Sequence, residues 1–267
     1  MKKGYTFDFG DILVSYFSCK DELDNLAREN CHDRYEIVCS LSPLGHCTVE
    51  GQEYALDPRS LLLIPPLAYH AHKYSDEIEF EGYAIRFSRD VLSENVLPML
   101  VNIISVDETN GIFYSPSRVS DALCDIFRRF DDAIILPEIE RRAFVETLIC
   151  EVIIFLSAAG GKVVSHSENE LGAKVAKYLN SNIEKNISLD KLASRFFVSK
   201  YHLCRAFKKY SGTSVHSYIN QKRIMYAKQL IESGETASGA ADRVGFGDYS
   251  AFYRAYVRIV GKSPTKE

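Results

Sequence analysis

Two stretches of this chain carry side chains of the kind that meet nucleic acid. SKYHLCRAFKKYSG covers 199–212 and DYSAFYRAYVRIVG covers 248–261. Laid over one another, Leu203 meets Phe252, Arg205 meets Arg254 and Ala206 meets Ala255. Phe207 meets Tyr256, Lys209 meets Arg258 and Gly212 meets Gly261. Residues 200, 201, 204, 205 and 208 share one helix face at i, i+3/i+4 spacing. They are Lys, Tyr, Cys, Arg and Lys. Such a helix fits a major groove, where Arg bonds guanine O6 and N7 in bidentate fashion. Lys208, Lys209 and Arg258 lie further along and suit phosphates, which position without specifying sequence. A solvated charged face on a helical hairpin is the competing explanation. Recurrence of Arg at one phase, inside an apolar signature each time, favours the contact role.

Helices must hold these faces outward. The segment SLDKLASRF begins at a cap, Ser188 or Asp190, and turns Leu189, Leu192 and Ala193 inward. Leu203, Ala206 and Phe207 meet them from the next helix, which starts at Ser199 and stops at Gly212. The small Ala193 lets the two helices cross closely, as a helix-turn-helix requires. ELGAKVAKYLNSNIEKN reads as one amphipathic helix before this pair. A long helix over 214–232 joins it to the second copy and ends at Gly234. At 1.5 Å per residue it is about 28 Å long, near the roughly 34 Å turn of B-form DNA. In the second copy, TASGAADRV carries Ala237, Gly239 and Ala240, so it is expected to pack loosely, and the first copy to carry more of the affinity.

Charge separates the chain into two parts. The 267 residues carry a net −4, which alone argues against a polyanionic partner. Residues 168–267 hold 17 Lys/Arg against 9 Asp/Glu, a net of +8, and residues 1–167 hold a net of −12. That asymmetry points to an acidic module joined to one that meets a polyanion. Seven cysteines (19, 31, 39, 47, 124, 150, 204) form no CxxC pair and read as reduced thiols, with a sensor built from Cys31, Cys39 and Cys47 as the sharper alternative. No uncharged apolar run approaches 18 residues, and the start, MKKGYTFDFGD, has a short basic end but no apolar h-region or small-residue cleavage site. A cytoplasmic protein without membrane span or secretory signal is expected.

The acidic part reads as strands, then helices. YEIVCSL (35–41), HCTVEG (46–51), EYALD (53–57), SLLLIPP (60–66) and FEGYAIRFS (80–88) are short and bounded by turn residues, with a hairpin at Gly51-Gln52. Many short strands with close turns indicate a small barrel or sandwich. RVSDALCDIFRRFDDAIIL and PEIERRAFVETLICEVIIFLSAAGG have helical spacing. Pro137 occupies a first-helical-residue position, and Gly160-Gly161 end the run. The two helices form an antiparallel pair whose wide apolar faces want a further partner. Residues 161–169 read as a linker.

The C-terminal hundred residues resemble the DNA-binding domain of the AraC/XylS family of transcriptional regulators. The resemblance runs through SKYHLCRAFKKYSGTS, YINQKRIMYAKQLI and VGFGDYSAFYRAYVRIVGKSP. The Gly-Phe pair at 245–246, Arg254 and the closing Gly-Lys-Ser-Pro mark it most strongly. By that resemblance Lys200, Tyr201, Cys204 and Arg205 fall at base-reading positions of a first unit. Tyr249, Ser250, Tyr253 and Arg254 fall there in a second. Tyr256-Val257-Arg258 departs from the usual Phe-Lys-Lys.

The strands resemble the same family's sensing domain, a cupin barrel, through YEIVCSL, VEGQEYALDPRSLLLIPPLAYHAHKY and YAIRFS. Arg59 and Leu67 stand where that pattern usually has glycine. Metal-binding cupins carry His-x-His, Glu and a later His. The matching positions are Asn30, His32, Glu36 and His70, so the first histidine is lost. Alternation places His70 and His72 on one strand face. Three readings remain open: a barrel lined by these groups that binds a small organic molecule, a metal site with a poor Asn ligand, or satisfied structural polar groups. Tyr35, Tyr69 and Tyr83 suit a sugar.

The resulting expectation is a multi-domain α+β chain. Residues 1–160 form a cupin-like effector-binding and dimerisation domain with two helices. Residues 170–267 form an all-α domain of two helix-turn-helix units joined by a long helix. The implied function is a DNA-binding regulator, an activator by family habit, with double-stranded DNA, a small-molecule effector, a second copy and RNA polymerase as partners. Effector contacts would come from Asn30, His32, Glu36, His70, His72 and Tyr83. No cofactor and no metal are expected. The rival function is a metal-dependent cupin enzyme with a basic tail.

Overall fold

The computed structural model describes residues 4–18, 31–74, 81–104, 111–160, 162–163, 171–185 and 187–265. Asn30 and most of the expected linker lie outside them. The chain divides into two compact units, one of residues 1–28 and 34–164, the other of residues 29–33 and 165–267. The architecture is α+β with antiparallel sheets.

In the N-terminal unit the strands are β1 (Tyr5–Asp8), β2 (Ile12–Phe17), β3 (Tyr35–Ser40), β4 (Gly45–Val49), β5 (Gln52–Leu56), β6 (Leu61–Ile64), β7 (His70–Tyr74), β8 (Gly82–Phe87), β9 (Ile112–Tyr114) and β10 (Lys162–Val163). The larger sheet runs β1-β2-β8-β3-β6-β9-β10 and the smaller β5-β4-β7. The β4–β5 hairpin turns at Glu50-Gly51, one residue before the expected pair. Val49 faces Gln52 across it, and both turn residues have positive φ, 45° and 79°. Those are the signs a two-residue type I′ turn requires. Arg59 and Leu67 also sit at φ 64°, so the two positions named above for glycine hold the left-handed backbone that favours it.

Strand alternation sends β3 and β8 side chains to two cores. Ile37, Cys39, Ile85 and Phe87 join the helices through Phe127, Phe130, Leu148 and Val152. Val38, Ala84, Leu62 and Ile64 meet Cys47, Val49, Tyr54 and Leu56 of the smaller sheet. The helices of this unit are α1 (Leu97–Ile104), α2 (Asp121–Arg129) and α3 (Glu138–Ala159). The expected helix over 118–136 is shorter. It starts at a Ser120 cap bonded to the Leu123 amide and passes into a 3-10 turn over Phe130–Ile135. Arg141 takes the carbonyls of Ala133 and Leu136, which satisfies that irregular turn. Pro137 is the cap of α3, not its first residue, and Gly160 ends α3 at φ 62°.

The C-terminal unit contains α4 (Leu171–Asn180), α5 (Leu189–Arg195), α6 (Lys200–Ser211), α7 (Val215–Glu232), α8 (Ala237–Arg243) and α9 (Tyr249–Val260). α4 stops at Asn180, short of the expected 186, because the chain turns over 181–185 with Lys185 bonded back to Asn182. The four helices α5 to α8 start at Ser188, Ser199, Ser214 and Thr236, and each hydroxyl accepts from the amide three residues on. Such a cap stabilises its helix by about 1 kcal/mol. Leu192 and Ala193 are buried as expected, but Leu189 is 37% exposed. It begins its helix, where no neighbouring turn covers it.

In the second pair, small side chains of α8 sit beside a cluster of aromatic rings. Ala240, Val244 and Phe252 are fully buried. Phe246 lies edge-on to Phe252 at 5.5 Å, and Tyr249 and Tyr256 lie 5.7 and 5.5 Å from the same ring.

Candidate nucleic-acid interface and a buried polar cluster

Helix α6 shows why the quoted stretch is amphipathic. Leu203 and Phe207 are fully buried, with the Phe207 ring edge-on to Tyr218 of α7 at 5.2 Å. Burying each removes apolar surface worth roughly 1.5–3 kcal/mol. That anchoring leaves Lys200, Tyr201, Arg205, Lys208 and Lys209 exposed, with Cys204 half-buried between them. Helix α9 repeats the arrangement: Phe252, Ala255 and Tyr256 are buried, and Tyr249, Ser250, Tyr253, Arg254 and Arg258 are exposed. Every residue expected to touch DNA therefore reaches solvent.

The charges on these faces are available. Among the described residues, Arg205, Lys208, Lys209, Arg254 and Arg258 make no ion pair. Lys200 pairs with Asp190 of α5 at 2.9 Å, but both ends are mostly exposed. A pair of that kind contributes about 0–1 kcal/mol and yields readily to a polyanion. The two helices differ at their starts. Ser199 caps α6, whereas the Asp248 carboxylate accepts from the Ser250 and Ala251 amides of α9. A negative cap disfavours a phosphate at the start of α9, whereas Arg254 and Arg258 offer positive charge further along the same helix.

A second constellation is buried in the N-terminal unit. The Glu36 side chain on β3 is fully buried, as is that of His70 on β7. Arg86, directly across from Glu36 on β8, donates from Nε to Glu36 Oε2 at 2.9 Å. His70 Nε2 lies 3.2 Å from the same oxygen, and His72 Nε2 lies 3.9 Å from Glu36 Oε1. The His70 Nδ1 donates to the Ala68 carbonyl at 3.0 Å, which turns Nε2 toward the carboxylate. Cys47 Sγ is 3.9 Å from His72 Nε2. Burial, then the Glu36 charge, pushes the Cys47 thiol well up. So raised, the thiol stays protonated at neutral pH and is a poor nucleophile.

Of the residues expected here, the structure brings together His32, Glu36 and His70, each with one possible ligand atom within 4.8 Å of the others, and His72 beside Glu36. Tyr83 faces the helical layer instead, where its hydroxyl donates to Asp131 Oδ1 at 3.0 Å. It occupies an odd position of β8, and Arg86 an even one, so the pleat separates them. Tyr35 likewise stacks on Phe87 at 5.5 Å within the helix-side core. His32 is half-buried. Asn30 is outside the described residues. Arg86 went unrecognised in the sequence, although one charged residue in GYAIRF was its signal.

Residues 192–266 match a family model described as a helix-turn-helix domain. The chain is 26% identical over 252 residues to the probable transcriptional regulator LumQ of Photobacterium leiognathi, covering 92% of this chain and 94% of that protein. It is 27% identical over 232 residues to the uncharacterized HTH-type transcriptional regulator YbfI of Bacillus subtilis strain 168, covering 82% and 78%. It is 21% identical over 246 residues to the HTH-type transcriptional activator RhaS of Salmonella agona strain SL483, covering 88% and 85%.

Proposed function

From the premise that residues 192–266 form an AraC-type helix-turn-helix domain in a chain similar to transcriptional regulators, we propose that this protein is a sequence-specific DNA-binding regulator governed by a small organic effector. The observation that carries the reading is the pair of exposed faces on α6 and α9. Each presents an unpaired arginine, Arg205 or Arg254, at the same phase above a buried aromatic core. Arg205 and Arg254 read guanine in successive major grooves, assisted by Lys200, Tyr201, Cys204, Tyr249, Ser250 and Tyr253. Lys208, Lys209 and Arg258 take phosphates. Helix α7 sets the distance between the two.

The effector binds in the cupin-like N-terminal unit. Glu36, His70, His72 and Arg86 form a polar anchor against the apolar wall of Val38, Ile64 and Cys47. A few placed polar groups in an apolar setting fix a ligand's orientation. The metal-enzyme alternative would use the His32, Glu36 and His70 cluster, and it is disfavoured because the Arg86 guanidinium already bonds Glu36 Oε2 and repels a second cation. Ile135 and Ile139 are about four-fifths exposed at the start of α3, which supports a homodimer formed through that region. By analogy with the named activator among its relatives, the output is activation through RNA polymerase. Effector binding changes transcription only to the extent that it favours one of two states of the chain.

The test is selection of duplexes from a random pool by the full chain, with and without a panel of small metabolites. The reading expects two short conserved blocks about one helical turn apart. A pool that stays random at low salt refutes it.

A further inference from the structure

Arg223 of α7 is 8% exposed, and among the described residues no carboxylate pairs with it. Burying a guanidinium without a counter-charge is expensive unless its donors are met. Three are met by main chain. Nε donates to the Ile183 carbonyl at 2.7 Å, Nη2 to the Lys185 carbonyl at 2.6 Å, and Nη1 to the Gly245 carbonyl at 3.2 Å. The Phe246 ring stands 5.9 Å from its Cζ. One side chain therefore ties two segments that are about sixty residues apart. One is the turn over 181–185; the other is the turn between α8 and α9.

Each tied segment leads to a reading helix. The 181–185 turn continues α4, and α4 is pressed onto α6. A Cβ added at Gly172 would meet Tyr210 Cβ at 2.3 Å and the Ala206 carbonyl at 3.1 Å. Tyr218 of α7 also donates to Asn180 at the end of α4. On the other side, Gly245 sits at φ 80°, with Glu184 so close that an added Cβ would lie 2.2 Å from its carbonyl oxygen. The turn that orients α9 thus rests directly on the segment that continues from α4.

We infer that Arg223 is the brace that fixes the spacing of the two reading helices, and so a determinant of which half-site spacing this protein accepts. Along the chain, α7 leads from α6 to α8, and α8 leads to α9. The Arg223 contacts close a second route, α6 to α4 to 183–185 to Gly245 to α9, and two routes resist rotation where one does not. Arginine suits the position because its planar fork serves three carbonyls in fixed directions, while a lysine ammonium is a single point. The inference rests on the DNA-binding reading above, with Arg223 as a positioning residue that touches no base.

The test uses the full chain, the selected bipartite duplex, versions with one or two base pairs added or removed between the blocks, and a duplex holding only the α6 block. The wild type should prefer one spacing by about tenfold or more, because the second contact acts at an effective concentration set by its tether. Arg223→Lys and Arg223→Met should flatten that preference and weaken the best duplex by on the order of tenfold, with single-block binding unchanged. Gly245→Ala, which leaves Arg223 in place and displaces the turn, should flatten it too and covers the case in which Arg223→Met fails to fold. Variants that keep the wild-type spacing preference overturn the brace. Equal loss on single-block and bipartite duplexes also overturns it, since the residue then acts only on stability. A wild type that binds the bipartite duplex no more tightly than the single-block duplex overturns the two-helix reading, and the brace with it.

Discussion

Replacing Arg205 by alanine isolates base reading from folding. The side chain is exposed and, among the described residues, makes no ion pair. Surface substitutions of that kind leave stability within about 0.5 kcal/mol. Its neighbour Leu203 shows the contrast: fully buried, it should cost roughly 2–5 kcal/mol of stability as Leu203→Ala. A bidentate arginine–guanine contact discriminates by about 1–3 kcal/mol, or roughly 5- to 160-fold in affinity. Arg205→Ala should therefore leave the melting temperature unchanged and lose that factor on the cognate duplex. Fluorescence anisotropy at fixed salt against single-base variants reads the result. The loss must be concentrated at one base position, where the variant becomes indifferent to sequence. A uniform loss across all sequences, with a salt slope reduced by about one, makes Arg205 a phosphate contact and refutes the reasoning.

Other expectations follow from the same geometry. The fragment 168–267, which holds its own buried core, should bind DNA alone with a steep salt dependence, and a failure at low salt would sink the assignment. Glu36→Gln and His70→Ala should abolish any ligand-induced rise in melting temperature, whereas Tyr83→Phe should keep the rise and lose only about 1 kcal/mol with its bond to Asp131. Burial pushes the Asp11 carboxyl up, but bonds and charge from Arg142 outweigh it and hold it below the usual range. A depressed folded value stabilises above the ordinary carboxylate range and is lost as pH falls through the folded value. Both partners are over a third exposed, so Asp11→Asn should cost about 0.2–1 kcal/mol at neutral pH and nothing once the carboxyl is protonated, as acid-side melting curves would show.

Sequence reading went furthest where local chemistry decides structure. Ser188, Ser199, Gly212 and Gly234 bound the C-terminal helices because capping and positive φ are properties of a few adjacent residues. The outward arginines followed from helical period alone. Reading failed where partners are distant. YTFD and ILVSYF were not recognised as β1 and β2, and LPMLVNII was not recognised as α1, since short apolar runs do not distinguish strand from helix. Tyr83 was placed with Glu36 although the pleat sends it to the opposite face. Arg86 and Arg223 went unnoticed because their roles depend on groups 50 and 22 to 40 residues away.

The central claim is that one chain reads DNA with two helices. Guanine N7 methylation interference on the selected duplex, with the full chain, tests it most directly, because N7 lies in the major groove where Arg205 and Arg254 would act. The account predicts two clusters of interference on one face, about 10 base pairs apart, with one cluster lost in each of Arg205→Ala and Arg254→Ala. A single cluster, or two that both survive the two substitutions, would contradict it.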